Sequence, residues 1–383
     1  MVVPDLGPLL AEMRNAVIAH GGGPTAVLNA SLAGVCAEWK GGRLLGARFG
    51  VRGVLAEDFV DLTAITEAQM WEAARMPGSV IGSSRHPLTD DDIQTMLCVF
   101  RAHDVDTFFY TGGNGTMETA LRIAPYMQVI GIPKTIDNDL AETDHTPGYP
   151  SAARFFIHAV RYIGLDNVAL PSPICIVEVL GRNTGWLAAA TALSRTHPDD
   201  APHLIYFPER RLSLDRIAVD VERVYRKLGR VIIAVCEGQL DDQGQPFGAD
   251  VDRPDSVVHR LASNLGHTLA IALTRRLGLR ARAEKPGLLG RSCAALASEV
   301  DREEAFAAGR AAVQAAEQGA SGKMVTLLRE GTGLVDLQRV ARIERPVPDE
   351  WISNDGNDVA GDFRDFLAPL VGPLELMPSV EIW

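Results

Sequence analysis

One pattern recurs along this sequence: a short run of β-branched and aromatic residues, a glycine-rich turn, and then a longer Ala-, Leu- and Arg-rich stretch of helical periodicity. This order is typical of βα units, which build mainly parallel sheets. The runs with buried-strand character lie at residues 15–19, 105–111, 129–132, 174–180, 203–207 and 231–236. A chain of 383 residues is too long for one small domain. We therefore predict an α/β protein of two doubly wound, mainly parallel-sheet domains, with the active site in the cleft between them.

The boundary between these domains is predicted at a Pro- and Gly-dense segment, residues 144–150. Residues 1–150 would form the first domain, and the chain would return to complete it with residues 290–345. Residues 151–289 would form the second domain. The Pro-, Asp- and Asn-rich residues 346–383 are predicted to be a C-terminal tail of irregular structure packed on the body.

Charge and cysteine content exclude several classes of protein. The 49 acidic residues outnumber the 37 basic ones, giving a net charge of −12, which argues against nucleic acid or a membrane surface as partner. A phosphate-bearing ligand therefore needs a local basic site. The five cysteines contain no C-x-x-C pair or zinc spacing, so we expect reduced thiols and a cytoplasmic location. No run approaches the roughly 20 apolar residues of a membrane-spanning helix.

Two glycine-rich loops stand between predicted strands and helices, at residues 21–25 (GGGPT) and 112–116 (GGNGT). Such turns lie at the carboxyl ends of strands, where open α/β sheets bind ligands, and helix N-termini favour phosphate. Neither loop has the Walker or the dinucleotide-binding spacing.

A third loop is more specific. Residues 133–139 (PKTIDND) place a cation, a hydroxyl and two carboxylates at a strand end. Crowded charge of this kind is unfavourable unless a ligand or metal completes it. In an extended segment Asp137 and Asp139 point the same way, so one could accept a proton while the other serves Mg²⁺ or orients the first.

Several motifs occur in the order and approximate spacing of the phosphofructokinase family, and the chain resembles that family over nearly its whole length. They are TGGNG at 111–115, PKTIDND at 133–139, VEVLGRNTGW at 177–186, CEG at 236–238 and LGRS at 289–292. Further runs are more similar to the pyrophosphate-using branch than to the ATP-using one: GGPTAVLNASLAGV at 22–35, DHTPGY at 144–149 and SEVDREEA at 298–305. The resemblance implies phosphate transfer from pyrophosphate to fructose 6-phosphate with Mg²⁺.

The resemblance also implies roles for individual residues. Asp137 would accept the proton of the sugar 1-hydroxyl, with Thr135 and Asp139 flanking the reacting centre. Arg85 and Arg182 match arginines that contact the donor phosphates or the transferred group. Phosphoryl transfer depends mainly on placement and charge neutralisation, so these types of side chain suit the reaction.

On the sugar side, Gly181 lies in the turn that carries Arg182, and Glu237 matches the carboxylate that holds sugar hydroxyls. Arg282 and Arg291 match arginines that grip the 6-phosphate. In the family one of these two comes from a neighbouring subunit, so the resemblance implies a homodimer or homotetramer with shared sites. The first domain would bind the donor and the second the sugar phosphate.

The donor-side residues are Gly23, Gly113, Asn114, Gly115 and Lys134. Two of them favour different phosphate donors. Relatives that use ATP carry Gly at position 134 and relatives that use pyrophosphate carry Lys, whose ammonium suits a short diphosphate. The pyrophosphate branch ends its GGNG-like loop in a blocking Asp, where this chain has Gly115. Asn114 replaces a metal-binding carboxylate and is at most a weak Mg²⁺ ligand. We give Lys134 more weight.

Two substitutions affect the sugar side. Leu288 stands where many relatives place His, and Pro173 stands where the partner-subunit arginine usually sits, unless a nearby base such as Arg154 replaces it. Two alternatives to the pyrophosphate-dependent enzyme therefore stay open. One is an ATP-dependent 6-phosphofructokinase; the other is a catalytically silent, sugar-phosphate-binding paralogue with a regulatory role.

Overall fold

A computed structural model describes residues 15–247 and 264–375. Strands β1 to β11 are, in order, Asn15–His20, Leu44–Ala47, Phe59–Asp61, Val105–Gly112, Gln128–Pro133, Ile174–Val179, Leu204–Tyr206, Val231–Cys236, Ala281–Glu284, Lys323–Leu328 and Gly331–Asp336. Helices α1 to α12 are, in order, Leu28–Glu38, Val51–Leu55, Glu67–Arg75, Asp90–Ala102, Asn114–Ile123, Tyr149–Ala169, Trp186–Ala190, Leu214–Leu228, Leu265–Leu277, Leu289–Ser292, Glu299–Glu317 and Phe363–Val371.

The described residues divide into two compact units. Unit 1 runs to Thr135 and adds Leu140–Gly148 and Arg302–Glu344. Unit 2 takes Ile136–Asp139, Tyr149–Asp301 and the described residues from Arg345 onward. The alternation of strand and helix produces two sheets, one in each unit.

Unit 1 is built on a seven-stranded sheet in the order β11-β10-β5-β4-β1-β2-β3. The five inner strands are parallel to their inner neighbours, and the two edge strands, β3 and β11, pair antiparallel. Alternate residues of β1 enter two different cores: Val17 and Ala19 pack on one face, Ala16 and Ile18 on the other. Burial on both faces explains why the sequence of β1 is continuously apolar rather than alternating.

Unit 2 contains a four-stranded, wholly parallel sheet in the order β7-β8-β6-β9. Strand β6 again faces two cores, with Cys175 and Val177 on one side and Ile174 and Ile176 on the other. Both units are thus doubly wound, and the predicted α/β class is confirmed. Strand ends in such sheets bring loops together at one edge of each sheet, where the two glycine loops and Lys134 lie in unit 1 and Arg182 and Glu237 lie in unit 2.

The C-terminal residues contain more regular structure than their composition predicts. Within the Pro- and Asp-rich stretch, helix α12 buries Phe363, Leu367 and Val371 in the core of unit 2. Residues 248–253 of the polar loop and residues 376–383 of the tail lie outside the described residues. Over the residues that were described, no helix is long and apolar enough to cross a membrane.

Candidate active site

The first glycine loop of unit 1 follows β1 and is held by a lysine. The Lys134 ammonium donates hydrogen bonds to the carbonyl oxygens of Gly21 and Gly23, each at 2.8 Å. Lys134 is only 3% exposed, so these bonds replace the water that a buried ammonium loses. The lysine that we predict to bind diphosphate therefore also determines the shape of the loop at this strand end.

The second glycine loop opens helix α5 beside the first. Strand β4 ends at Gly112, Gly113 precedes the helix, and Asn114 is its first residue. Because β4 and β5 are parallel neighbours with Gly112 opposite Pro133, this loop and the Lys134 segment meet at one sheet edge. The N–H of Lys134 donates to the oxygen of Gly112 at 3.0 Å. The structure therefore brings the predicted donor-side residues of unit 1 together.

Gly115, the second residue of α5, is exposed and has open space around it. A Cβ atom placed on Gly115 would meet no atom of the described residues within 4 Å. The backbone there has an ordinary helical conformation, so a side chain is tolerated without strain. The absence of a side chain at position 115, where the family resemblance leads us to expect a blocking carboxylate, is therefore not required by packing.

Arg85 lines a cavity of about 740 Å³ in unit 1 together with Arg48 and Arg52. Arg48 faces Asp58, with 3.8 Å between Nε and Oδ1. Among the residues described here, Arg52 and Arg85 form no ion pair. The residue before Arg85, Ser84, accepts the N–H of Gly22 at 2.8 Å, so this cavity adjoins the first glycine loop. Two guanidinium groups thus remain available to an anion at this point.

In unit 2 the predicted base lies beside the predicted arginine. The Asp137 carboxylate is 3.8 Å from Arg182 Nε, and the Asp137 side chain is 15% exposed. The Thr184 hydroxyl donates to the backbone oxygen of Asp137 at 2.9 Å. Strand β6 therefore ends in a turn, residues 180–185, that carries Arg182 to Asp137. A carboxylate that faces a guanidinium but keeps some exposure can accept a proton from a bound hydroxyl.

The segment that holds Asp137 and Asp139 is not extended, and the expected common direction of the two carboxylates is wrong. Asn138, between them, has φ +53°, which turns the chain. Arg345 fixes this turn, because its N–H donates to Asp139 O at 2.8 Å and its guanidinium donates to Asn138 O at 3.2 Å. Arg345 also lies over the ring of the buried Trp186, 4.4 Å from its centre. Asp137 and Asp139 consequently have different surroundings.

Glu237 follows β8 and joins the turn after β6. Its N–H donates to Val179 O at 2.8 Å. The next residue must be glycine, since a Cβ on Gly238 would lie 1.4 Å from the oxygen of Arg182. Burial, reinforced by the charge of Glu178, raises the pKa of the Glu237 carboxyl, and Lys285 opposes that rise. The structure thus brings Glu237 to the strand end that carries Gly181 and Arg182.

A second acidic residue stands behind Glu237. Glu178 is buried in β6 and pairs with Lys285 at 2.5 Å. Its other oxygen accepts the N–H of Gly266 at 2.8 Å, at the start of α9. Neither Glu178 nor Lys285 was predicted as a site residue, although the charged Glu178 interrupts an otherwise apolar strand. That interruption was the available signal.

Arg282 is not near Glu237 in the same chain. It lies opposite Cys175 in the parallel pair of β6 and β9, four residues before β6 ends at Val179, which corresponds to roughly 13 Å along the strand from the turn that carries Arg182. Arg282 pairs with Glu284 at 3.1 Å and with Asp166 at 3.9 Å. Within one subunit, Arg282 therefore does not join the predicted sugar-phosphate residues.

The other sugar-side positions cluster around α10 and α6. Arg291 lies in α10, which packs on α6 so closely that a Cβ on Gly290 would be 2.5 Å from Phe156. Leu288 is exposed just before this helix. The suggested substitute Arg154 is engaged elsewhere, because its guanidinium donates to the oxygens of Val371 and Pro373. A replacement for the arginine missing at position 173 is therefore not supplied by Arg154.

Comparison with known proteins shows the family of this chain. The family model for phosphofructokinase matches residues 15–316. The chain belongs to the phosphofructokinase family. A pyrophosphate–fructose 6-phosphate 1-phosphotransferase of Rhodospirillum rubrum is 40% identical over 379 residues, covering 93% of this chain and 94% of the relative. The crystal structure of a pyrophosphate-dependent phosphofructokinase from Nitrosospira multiformis matches with a TM-score of 0.85 and 30% identity, covering 97% of this chain and 95% of that one.

One relative in the same comparison differs in its acceptor. A sulfofructose kinase of Alkalicoccus urumqiensis is 30% identical over 355 residues and covers 90% of both chains. The phosphofructokinase family assignment therefore leaves the anionic group of the sugar to be decided by the residues that would bind it.

The residues of this phosphofructokinase family member fit a Mg²⁺ ion that is bound mainly by the substrate phosphates. In the described ranges no three His, Cys, Asp or Glu side chains form a group that could hold a metal ion. Mg²⁺ keeps several waters and is usually bound through one or two carboxylates plus substrate phosphates. The carboxylate of Asp137 or Asp139 in unit 2 is a ligand of the kind that such an ion takes, and the Asn114 amide in unit 1 is a weaker one.

Proposed function

We propose that this chain transfers phosphate from pyrophosphate to the 1-hydroxyl of fructose 6-phosphate, giving fructose 1,6-bisphosphate. The observation that carries the proposal is the Lys134 ammonium, which lies 2.8 Å from two carbonyls of the first glycine loop. A fixed point charge at a glycine loop suits a short diphosphate and takes the space of a nucleotide. We expect the reaction to be reversible, because the only phosphoanhydride that it consumes is the small one of inorganic pyrophosphate.

Asp137 acts as the general base. Its carboxylate accepts the proton of the sugar 1-hydroxyl as the oxygen attacks the phosphorus, and Thr135 binds the group in transfer. Arg182, 3.8 Å from Asp137, neutralises charge on the transferred phosphoryl group. Mg²⁺, which Asp137 or Asp139 would hold with Asn114 as a weaker ligand, would supply neutralisation of the charge on the diphosphate. Asp139 orients the segment that carries the base.

Residues of the second strand end bind the sugar. Glu237 accepts hydrogen bonds from sugar hydroxyls, and its raised pKa is consistent with a buried carboxyl that meets neutral partners. Arg291 and Arg282 bind the 6-phosphate, Arg282 from a neighbouring subunit because it is remote within its own chain. The active form is accordingly a homodimer or homotetramer, and we place it in the cytoplasm.

The decisive experiment compares donors side by side. Purified protein is assayed with fructose 6-phosphate and Mg²⁺, with either pyrophosphate or ATP, and fructose 1,6-bisphosphate is detected through aldolase. We expect product with pyrophosphate. Lys134→Met should raise the KM for pyrophosphate by at least about tenfold, because it removes a charge-assisted contact. Lys323→Met, which removes a half-buried lysine paired with Asp336, is the matched control. Product with ATP alone would refute the proposal.

Use of ATP is favoured by one observation, the open space at Gly115. A nucleotide could extend past α5 toward the cavity at Arg85, and the same assay decides between the two donors. A silent paralogue is the outcome if neither donor gives product while fructose 6-phosphate still binds in calorimetry. Sugars with a different anionic group should be tested as acceptors in parallel, because Pro173 and Leu288 remove two expected phosphate contacts.

A further inference from the structure

His20 is the last residue of β1 and directly precedes the first glycine loop. Its side chain is fully buried. Its Nδ1 lies 2.7 Å from Ser79 Oγ, which in turn lies 2.8 Å from the carbonyl oxygen of Gly82. A serine hydroxyl has one proton and a carbonyl can only accept, so that proton goes to Gly82. Nδ1 of His20 therefore carries a hydrogen and donates it to Ser79.

The imidazole is neutral. Burial, together with the charge of Lys134, lowers the pKa of His20 to about 3. In the part of the chain that the structure describes, Nε2 of His20 has no hydrogen-bond partner. The ring is consequently held in place through Nδ1 and Ser79 rather than through an ion pair.

Residues 79–85 are tied to the glycine loop at both ends. Ser79 receives the His20 side chain at the start of this segment. Near its end, Gly22 N–H donates to Ser84 O at 2.8 Å, and the Ser83 hydroxyl donates to Gly22 O at 2.7 Å. Arg85 comes next. The conformation of the segment that delivers Arg85 thus depends on contacts with residues 20–22.

We propose that His20 is a positioning residue, which through Ser79 holds residues 79–85 against the first glycine loop and so places Arg85 for the donor diphosphate. This inference rests on the proposed function. Neither His20 nor Ser79 touches the reacting atoms, and both act through Arg85. No motif in the sequence marks them, because they are 59 positions apart.

This positioning role predicts that substitutions at His20 and Ser79 change the KM for pyrophosphate but not the KM for fructose 6-phosphate. His20→Leu and Ser79→Ala should each raise the KM for pyrophosphate about three- to tenfold, the effect of one hydrogen bond. The KM for fructose 6-phosphate should change by less than about twofold. His20→Asn, whose amide can donate from near the Nδ1 position, should restore the KM for pyrophosphate. The double variant His20→Leu with Ser79→Ala should be no worse than either single variant.

A buried histidine of unit 2 provides the control. His158→Leu removes another ring that is 2% exposed, and we expect wild-type KM values for both substrates. Equal increases in both KM values for His20→Leu, or no rescue by asparagine, would overturn the proposal.

The hydrogen bond itself can be tested without turnover. Nitrogen NMR on histidine-labelled full-length protein, assigned with the His20→Asn variant, should show a neutral ring with its proton on Nδ1. A proton on Nε2 would refute the assignment. If the wild type neither binds nor uses pyrophosphate, the proposed donor is wrong, and the tautomer still decides whether His20 holds Ser79.

Discussion

Asp137 is the residue on which the proposed chemistry depends. Asp137→Asn keeps the shape of the side chain and removes the base, so kcat should fall by roughly 10² to 10⁴ while pyrophosphate binding changes little. Steady-state kinetics and calorimetry with pyrophosphate measure the two quantities. Asp139→Asn is the neighbouring comparison and should cost less, because the left-handed Asn138 gives it different surroundings. Undiminished turnover in Asp137→Asn would exclude Asp137 as the base.

His20 also makes stability depend on pH. The pKa of His20 falls from 6.5 in a free side chain to about 3 in the fold. Between these values the unfolded state binds a proton that the native state does not. Stability is therefore complete above about pH 6.5 and decreases as the pH falls, by about 1.4 kcal/mol per pH unit.

Urea unfolding at pH 7 and pH 5 tests this dependence. The free energy of unfolding of the wild type should drop by about 2 kcal/mol more than that of His20→Asn, which has no group titrating in this range. Other titrating groups are common to both proteins and cancel in the comparison. An equal drop in the two proteins would show that His20 is accessible to protons in the native state.

At the scale of elements, the start of α5 allows a direct test of donor choice. Gly115→Asp places a carboxylate in open space near a helix N-terminus, where the helix dipole stabilises it by about 0.3–1 kcal/mol. We expect pyrophosphate activity to persist and any ATP activity to disappear, measured in the aldolase-coupled assay. Gly115→Ala adds a methyl group without charge and serves as the control. Loss of pyrophosphate activity in Gly115→Asp would contradict the blocking role.

The strands predicted from sequence are the inner strands β1, β4, β5, β6 and β8 and the edge strand β7, whereas the inner strands β2 and β10 and the edge strands β3, β9 and β11 were missed. Strands β1, β4, β5, β6 and β8 are buried on both faces and therefore read as continuous apolar runs. The missed strands include β9, with sequence ARAE, and β11, with sequence GTGLVD. Both of these strands are partly exposed and carry charged residues or glycine, so hydrophobicity alone does not mark them. Helix α12 was missed because Pro369 lies inside it, and proline normally marks the end of a helix.

The sequence predicted those parts of the candidate site that depend on where strands end. It did not predict those that depend on the direction of individual side chains. Glycine loops, Lys134, Asp137, Arg182 and Glu237 all stand just after inner parallel strands, so topology alone brings them to sheet edges. The turn at Asn138 and the hydrogen bonds from the Lys134 ammonium to backbone carbonyls depend on local packing. The spacing of residues along the sequence does not predict such packing. Arg52 and Lys285 were missed because their neighbours come from distant parts of the sequence.

At the scale of the whole molecule, the remoteness of Arg282 predicts complementation between subunits. Asp137→Asn and Arg282→Ala should each be nearly inactive alone. In mixed oligomers, a site made from Asp137 of one chain and Arg282 of the other is intact, so about a quarter of wild-type activity should return in a statistical dimer. The measurement is activity after joint refolding or coexpression of two differently tagged chains. No recovery would mean that Arg282 does not act across subunits.

The vacancy beside Gly115 also has a genetic consequence. Every glycine codon becomes a codon for aspartate or glutamate when its second base changes from G to A. Packing would reject such a change at most buried glycines, but at this one nothing within reach opposes it. A gene for this chain is therefore a single transition away from an acidic residue at position 115, and the folded chain has room for that side chain. Laboratory selection on pyrophosphate in the presence of competing ATP should find it early.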